Sequence, residues 1–202
     1  MSDAGDVGDD PRQADPDRAG VAVVVAGASA RGAYEAGVLS VLLPALEAQG
    51  LRPDIFVGSS AGAINSVAFA AMSNLSAEAA GTKATDLWRS IQQGDVFRPP
   101  LRSTLAAVGG WVARASRPRT PPRPAGVLDT SPLEATLARL IDWNQLHANI
   151  SDHRVTAVAV TATACSTHRT TVFVEQGAGR RLPASDPGRA IDYLGADLDR
   201  RH

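Results

Sequence analysis

The residues with the clearest chemistry are a serine framed by small neighbours, Gly58-Ser59-Ser60-Ala61-Gly62. A serine at the centre of G-x-S-x-G suits nucleophilic catalysis when a strand precedes it and a helix follows. The sharp turn forces it into a strained backbone conformation and projects its hydroxyl outward. The amide of Ala61 then points at any oxyanion formed on a bound carbonyl, and the helix N-terminus adds partial positive charge. Small residues are needed because strand, helix and substrate crowd the turn. The competing reading is a tight strand-to-helix turn built of small residues and carrying no chemistry.

A second loop, Gly27-Ala28-Ser29-Ala30-Arg31-Gly32, allows three chemistries. A phosphate-binding loop of the Walker type needs Lys-Ser or Lys-Thr after its last glycine, and Ala33-Tyr34 stand there instead. A dinucleotide fingerprint needs a glycine where Ser29 lies, and an acid after the second strand, whereas Asp54 stands at its start and not after it. The third chemistry is a turn whose backbone amides receive the oxyanion generated by Ser60. That role needs only exposed amides, and Ala28 and Ser29 can serve if their φ angles are negative.

The elements that must position these loops read strand, loop, helix, twice over. Val21–Val25 is a β-branched run, the pattern of a strand buried on both faces. Apolar residues then recur at helical spacing from Ala33 to Ala48, with Gly50 as the stop. Asp54–Val57 predicts a second strand, and helices follow over Ala63–Met72 and Ala77–Gln92. This alternation argues for an α/β fold with a mainly parallel sheet. Ser131-Pro132 opens a further helix, Arg154–Thr163 and Thr170–Glu175 read as strands, and Gly188–Leu194 is expected to be helical. Residues 1–19, with six Asp and two Arg, read as a disordered acidic tail, and one domain is expected over 20–202. Residues 96–128 hold six Arg, six Pro and Trp111. Two readings stay open there: a flap facing anionic lipid, which would give peripheral membrane contact, or a solvated insertion.

Composition narrows the classes. The formal net charge is −1 over 202 residues, so attachment to nucleic acid through bulk charge is not expected. One cysteine, Cys165, excludes an internal disulfide, and no Cys/His spacing suits a metal; no metal and no cofactor are expected. The acidic start is unlike a secretory signal, no segment has the length of a membrane span, and a cytoplasmic location is expected.

Taken together, the two loops resemble those of the patatin-like phospholipases, in which a strand ends in G-G-G-x-R/K-G, a helix follows, and the next strand carries G-x-S-x-G. Gly32-Ala33-Tyr34-Glu35-Ala36-Gly37-Val38-Leu39 is similar to the family's first helix, and Ala61-Gly62-Ala63-Ile64-Asn65 to the start of its nucleophile helix. Leu128–Leu133, Thr161–Thr163 and Thr171–Phe173 resemble later family segments. The resemblance implies a three-layer α/β/α domain that hydrolyses carboxylesters of phospholipids or other acyl lipids. It implies Ser60 as nucleophile, Gly58, Ser59, Ala61 and Gly62 as its elbow, and Gly27, Ala28, Ser29, Arg31 and Gly32 as the oxyanion loop. Two departures stand out. Ala28 and Ser29 replace the family's second and third loop glycines, and the family's catalytic Asp-Gly motif has no counterpart, because the sequence contains no Asp-Gly dipeptide. The chain reads as an incomplete domain that stops about where the family continues toward that motif.

Replacement bases are Asp129, Asp192, Asp197 and Asp199, or a histidine among His147, His153 and His168. Each reads more simply as a turn or surface residue. The expectation is therefore a lipid acyl hydrolase impaired by loss of its acid, inactive or only weakly active. The alternatives are a non-catalytic remnant acting as a binding or scaffold module, and a Rossmann-type nucleotide binder. Arg31 either steers an anionic head group or pairs with Glu35 one turn on. Trp88 and Trp143 read as packing residues.

Overall fold

The computed structural model describes residues 20–96 and 131–199. The tail 1–19 and the Arg/Pro stretch, with Trp111 and Asp129, lie outside them. Strand β1 (Val21–Val25) leads through a short 3-10 turn (Ser29–Arg31) into helix α1 (Gly32–Glu47). Strand β2 (Pro53–Ser59) leads into α2 (Ala61–Ala71), followed by α3 (Ala77–Ser90) and the single turn α4 (Gln93–Val96). Helices α5 (Ser131–Leu140) and α6 (Trp143–Ser151) precede β3 (Ala157–Ala164), β4 (Arg169–Gln176) and β5 (Ile191–Gly195).

The five strands form one sheet in sequence order. β1–β2, β2–β3 and β4–β5 are parallel, and β3–β4 is antiparallel. Two strands joined by a short turn can only pair antiparallel, whereas the first three are separated by helices. The sheet is mainly parallel, as the alternation predicted. One expectation is overturned: Gly188–Leu194 is not helical, and Ile191–Gly195 is a strand. Alternation decides it. Ile191 and Tyr193 pack against a cluster of Ala159, Val172 and Val174. Asp192, between them, forms a two-pronged ion pair with Arg169 of β4, at 2.6 and 2.8 Å.

The main core joins Val23 and Val25 of β1 and Phe56 of β2 to Ala36, Leu39 and Leu43 of α1, Val67 and Phe69 of α2, and Leu146 and Ile150 of α6. α1 and α3 approach closely because Gly81 has no side chain: a Cβ there would stand 2.8 Å from Ser40 Cα. α3 starts at Ser76, whose hydroxyl accepts from the Ala79 amide, and α6 at Asp142, whose carboxylate accepts from the Gln145 amide. α1 is followed by Gly50 at φ 73°, the left-handed stop its sequence announced.

Candidate active site

Ser60 lies at the carboxyl end of β2, between β1 and β3, the end of a parallel sheet where ligands are expected to bind. Its φ of 51° and ψ of −127° lie in a region that L-residues rarely enter, at a cost of about 1–3 kcal/mol. The surroundings enforce this conformation. A Cβ on Gly58 would stand 2.6 Å from the Ala63 amide nitrogen, and one on Gly62 would run into the carbonyl oxygens of Val25 and Ala26. β1, β2 and α2 thus meet in van der Waals contact through two glycines, and the serine between them takes the strain. Its hydroxyl is left exposed at the N-terminal end of α2, where the first amides of a helix have no intrahelical partner. Ser66, one and a half turns on, donates to the Val57 carbonyl at 2.9 Å and pins α2 to β2.

The Gly27–Gly32 loop lies beside it. A Cβ on Gly27 would stand 3.1 Å from Ser60 Cβ. No hydrogen bond engages the amides of Gly27 and Ala28 among the described residues. The condition placed on the two non-glycine positions is met by one of them only. Ala28 has φ −136°, but Ser29 has φ 51°, in the left-handed region. The loop must reverse from an extended strand into a 3-10 turn within three residues, and Ser29 makes that reversal at the position where the resemblance places a glycine. Arg31 is exposed and makes no ion pair among the described residues. The Glu35 carboxylate is taken up by Asn65 at 3.2 Å.

A cavity of about 740 Å³ opens at Ser60 and Ser29, within the size range of small-molecule sites. Its walls are apolar: Ile64 and Val67 from α2, Trp88 from α3, Leu137 from α5, Trp143 from α6, and Leu198. Sequence reading gave no sign of it, because its walls come from segments far apart in the chain. Trp88 and Trp143, read as packing residues, line it. A smaller cleft of about 410 Å³, rimmed by Lys83, Asp86, Arg139 and Asp142, touches neither loop.

Most of the candidate bases among the described residues lie away from Ser60. Asp192 is committed to Arg169, which holds its carboxyl below the ordinary value of 3.8, chiefly through their hydrogen bonds. Asp197 is exposed. Asp199 lines the cavity that holds Ser60, the single acid among the described residues to do so. His147 pairs with the buried Glu175 at 2.6 Å, whose other oxygen accepts from the Leu198 amide at 2.7 Å. His153 and His168 occupy turns at φ 58° and 55°. None of the three histidines lines the cavity. No group of three or more His, Cys, Asp or Glu among the described residues could hold a metal ion.

The site is thus a strained serine between a parallel strand and a helix, beside a loop of small residues and Arg31 and at the mouth of an apolar cavity. The family comparison specifies the group: the chain belongs to the patatin-like phospholipase family, whose model matches residues 23–196. The three-layer α/β/α fold class expected from the sequence agrees with this match and with the mainly parallel sheet. No curated protein and no solved structure matches the chain. No helix among the described residues is long and apolar enough to cross a membrane.

Proposed function

We propose that the chain acts on acyl lipids as a serine hydrolase, with Ser60 as the nucleophile. Ser60 attacks the acyl carbonyl, and the amides of Gly27, Ala28 and Ala61 receive the oxyanion. Each such donor is worth about 2.7–4 kcal/mol of transition-state stabilisation. The leaving alcohol departs from a tetrahedral intermediate, and water then cleaves the acyl-enzyme. The apolar cavity takes the acyl chain, Arg31 stands free to meet an anionic head group, and the protein works in the cytoplasm in peripheral contact with lipid. The observation that carries this reading is the strained backbone of Ser60 at the mouth of an apolar cavity.

A general base contributes about 10²–10⁴-fold in rate. The family's Asp-Gly motif has no counterpart in the sequence, so acylation of Ser60 is expected to be slow. The same observation favours a second reading, a lipid-binding module that retains the fold without turnover. Nitrophenyl esters of two to ten acyl carbons separate the two. The hydrolase reading expects acylation that is lost in Ser60→Ala and rises by up to about fourfold per added methylene, from about 0.8 kcal/mol of burial each, until the cavity is full. Equal lipid binding by both proteins with no acyl-enzyme supports the binding module. Acylation without chain-length dependence removes the cavity from the account.

A further inference from the structure

Three elements of the site meet at one buried side chain to which the sequence reading gave no separate role. Asn65, on α2, is 1% exposed. Its Nδ2 donates to the Gly32 carbonyl at 2.9 Å and to the Glu35 carboxylate at 3.2 Å, and its Oδ1 accepts from Trp88 Nε1 at 2.7 Å. Both amide hydrogens and the carbonyl are therefore used. The orientation is forced: the reversed amide would set its oxygen against two acceptors and its NH2 against the indole N–H. Trp88 in turn leans on the loop. A Cβ on Gly32 would stand 2.6 Å from two atoms of the indole ring and 2.9 Å from Ala61 Cβ.

The loop has little else to hold it. Gly27, Ser29, Ala30 and Arg31 are exposed, and its internal bonds are local turn bonds such as Arg31 N–H to the Ala28 carbonyl at 3.0 Å. Among the described residues, the hydrogen bond from Asn65 is the long-range polar tie at its end. We propose that Asn65 and Trp88 are positioning residues that set the oxyanion loop against the nucleophile helix, so that the cavity wall is part of the machinery that places the oxyanion donors. Trp88 turns one part of its ring to the cavity and its N–H to Asn65. Asn65 transmits the position of that ring to Gly32. The consequence for rate rests on the hydrolase reading, but the mechanical coupling does not.

Trp88→Phe tests this, since it keeps an aromatic ring at the position but removes both the donor to Asn65 and the ring edge that leans on Gly32. Rates of fluorophosphonate labelling are measured with an ethyl and a decyl probe. The expected result is a loss of about tenfold with both probes, from an unsatisfied buried acceptor, with the decyl-to-ethyl ratio unchanged. An unchanged ethyl rate with a slower decyl rate makes Trp88 a wall and nothing more, and overturns the proposal. Amide hydrogen exchange supplies a readout that needs no reactive serine. Trp88→Phe should speed exchange in residues 27–33 by about tenfold and leave β3–β4 unchanged. A uniform change along the chain, or none, overturns the coupling. Wild-type protein that does not label, combined with the localised exchange change, overturns the nucleophile reading and keeps the coupling. Glu35→Ala, at a half-buried position, is a second variant should Trp88→Phe fail to fold, and is expected to give the same local pattern at about threefold.

Discussion

The two ends of the sheet are built on different principles. At the β1–α1–β2–α2 end, residues are fixed by what cannot fit: Gly58 and Gly62 admit no Cβ, and Ser29 and Ser60 carry positive φ angles. At the β3–β4–β5 end, regular pairing runs without a break from Ala157–Gln176 to Ala164–Arg169, and polar side chains pair with one another, as Arg169 does with Asp192. Close backbone contact is concentrated where the chemistry is proposed, whereas positive φ also occurs in the turns of the other end, at His153, His168 and Ala190. The ladder end supplies stiffness and one face of the core. Strain of this kind persists only where surrounding structure over-determines it, and at Ser60 that structure is the close meeting of β1, β2 and α2.

The same small substitution should therefore have opposite outcomes at the two ends. Gly62→Ala is expected to destabilise by about 3 kcal/mol or more, since backbone atoms of β1 would have to move. Gly177→Ala, after β4, meets its nearest atom at 3.6 Å and is expected to stay within about 0.5 kcal/mol of wild type. Chemical denaturation measures both, and comparable losses at the two positions would break the comparison. Relief of strain should sharpen it. Ser60→Gly is expected to stabilise by about 1–3 kcal/mol while removing the nucleophile, a trade that marks a conformation kept for function. Ser29→Gly should stabilise by about 1 kcal/mol, visible as a rise of about 2–4 °C in Tm. The smallest effect belongs to the ladder end. Arg169 lowers the Asp192 carboxyl below 3.8, so its contribution to stability is complete above that pH and is lost as the pH falls through the lower folded-state value. Asp192→Asn should flatten that acid limb, lower stability slightly at neutral pH and leave the slope of the denaturant curve unchanged.

Much of the first end was legible in the sequence, because close contact leaves a compositional trace. Gly58-x-Ser60-x-Gly62 and, Arg31 apart, the Gly27–Gly32 loop consist of small residues for the reason the structure gives, that β1, β2 and α2 touch there. The parallel alternation was legible through the apolar spacing of β1 and α1. The last strand was not. Gly188–Leu194 holds too few residues to separate a period of 3.6 from a period of 2, and its strand character comes from pairing with β4, a long-range contact. The cavity was hidden because its walls lie far apart in sequence. Asn65 was hidden because its importance lies in three partners, at positions 32, 35 and 88, that no local pattern connects. The positive φ of Ser29 went against expectation, since a serine carries no local mark of the left-handed conformation that the loop imposes on it.

The central claim is that Ser60 is a nucleophile presented to an apolar acyl site. Its most direct test is a time course of fluorophosphonate labelling, wild type beside Ser60→Ala, with and without long-chain phospholipid. The expected result is slow labelling that is confined to Ser60, absent from the variant and slowed further by the lipid. Labelling that persists in Ser60→Ala, or none in a folded wild-type protein, would contradict it.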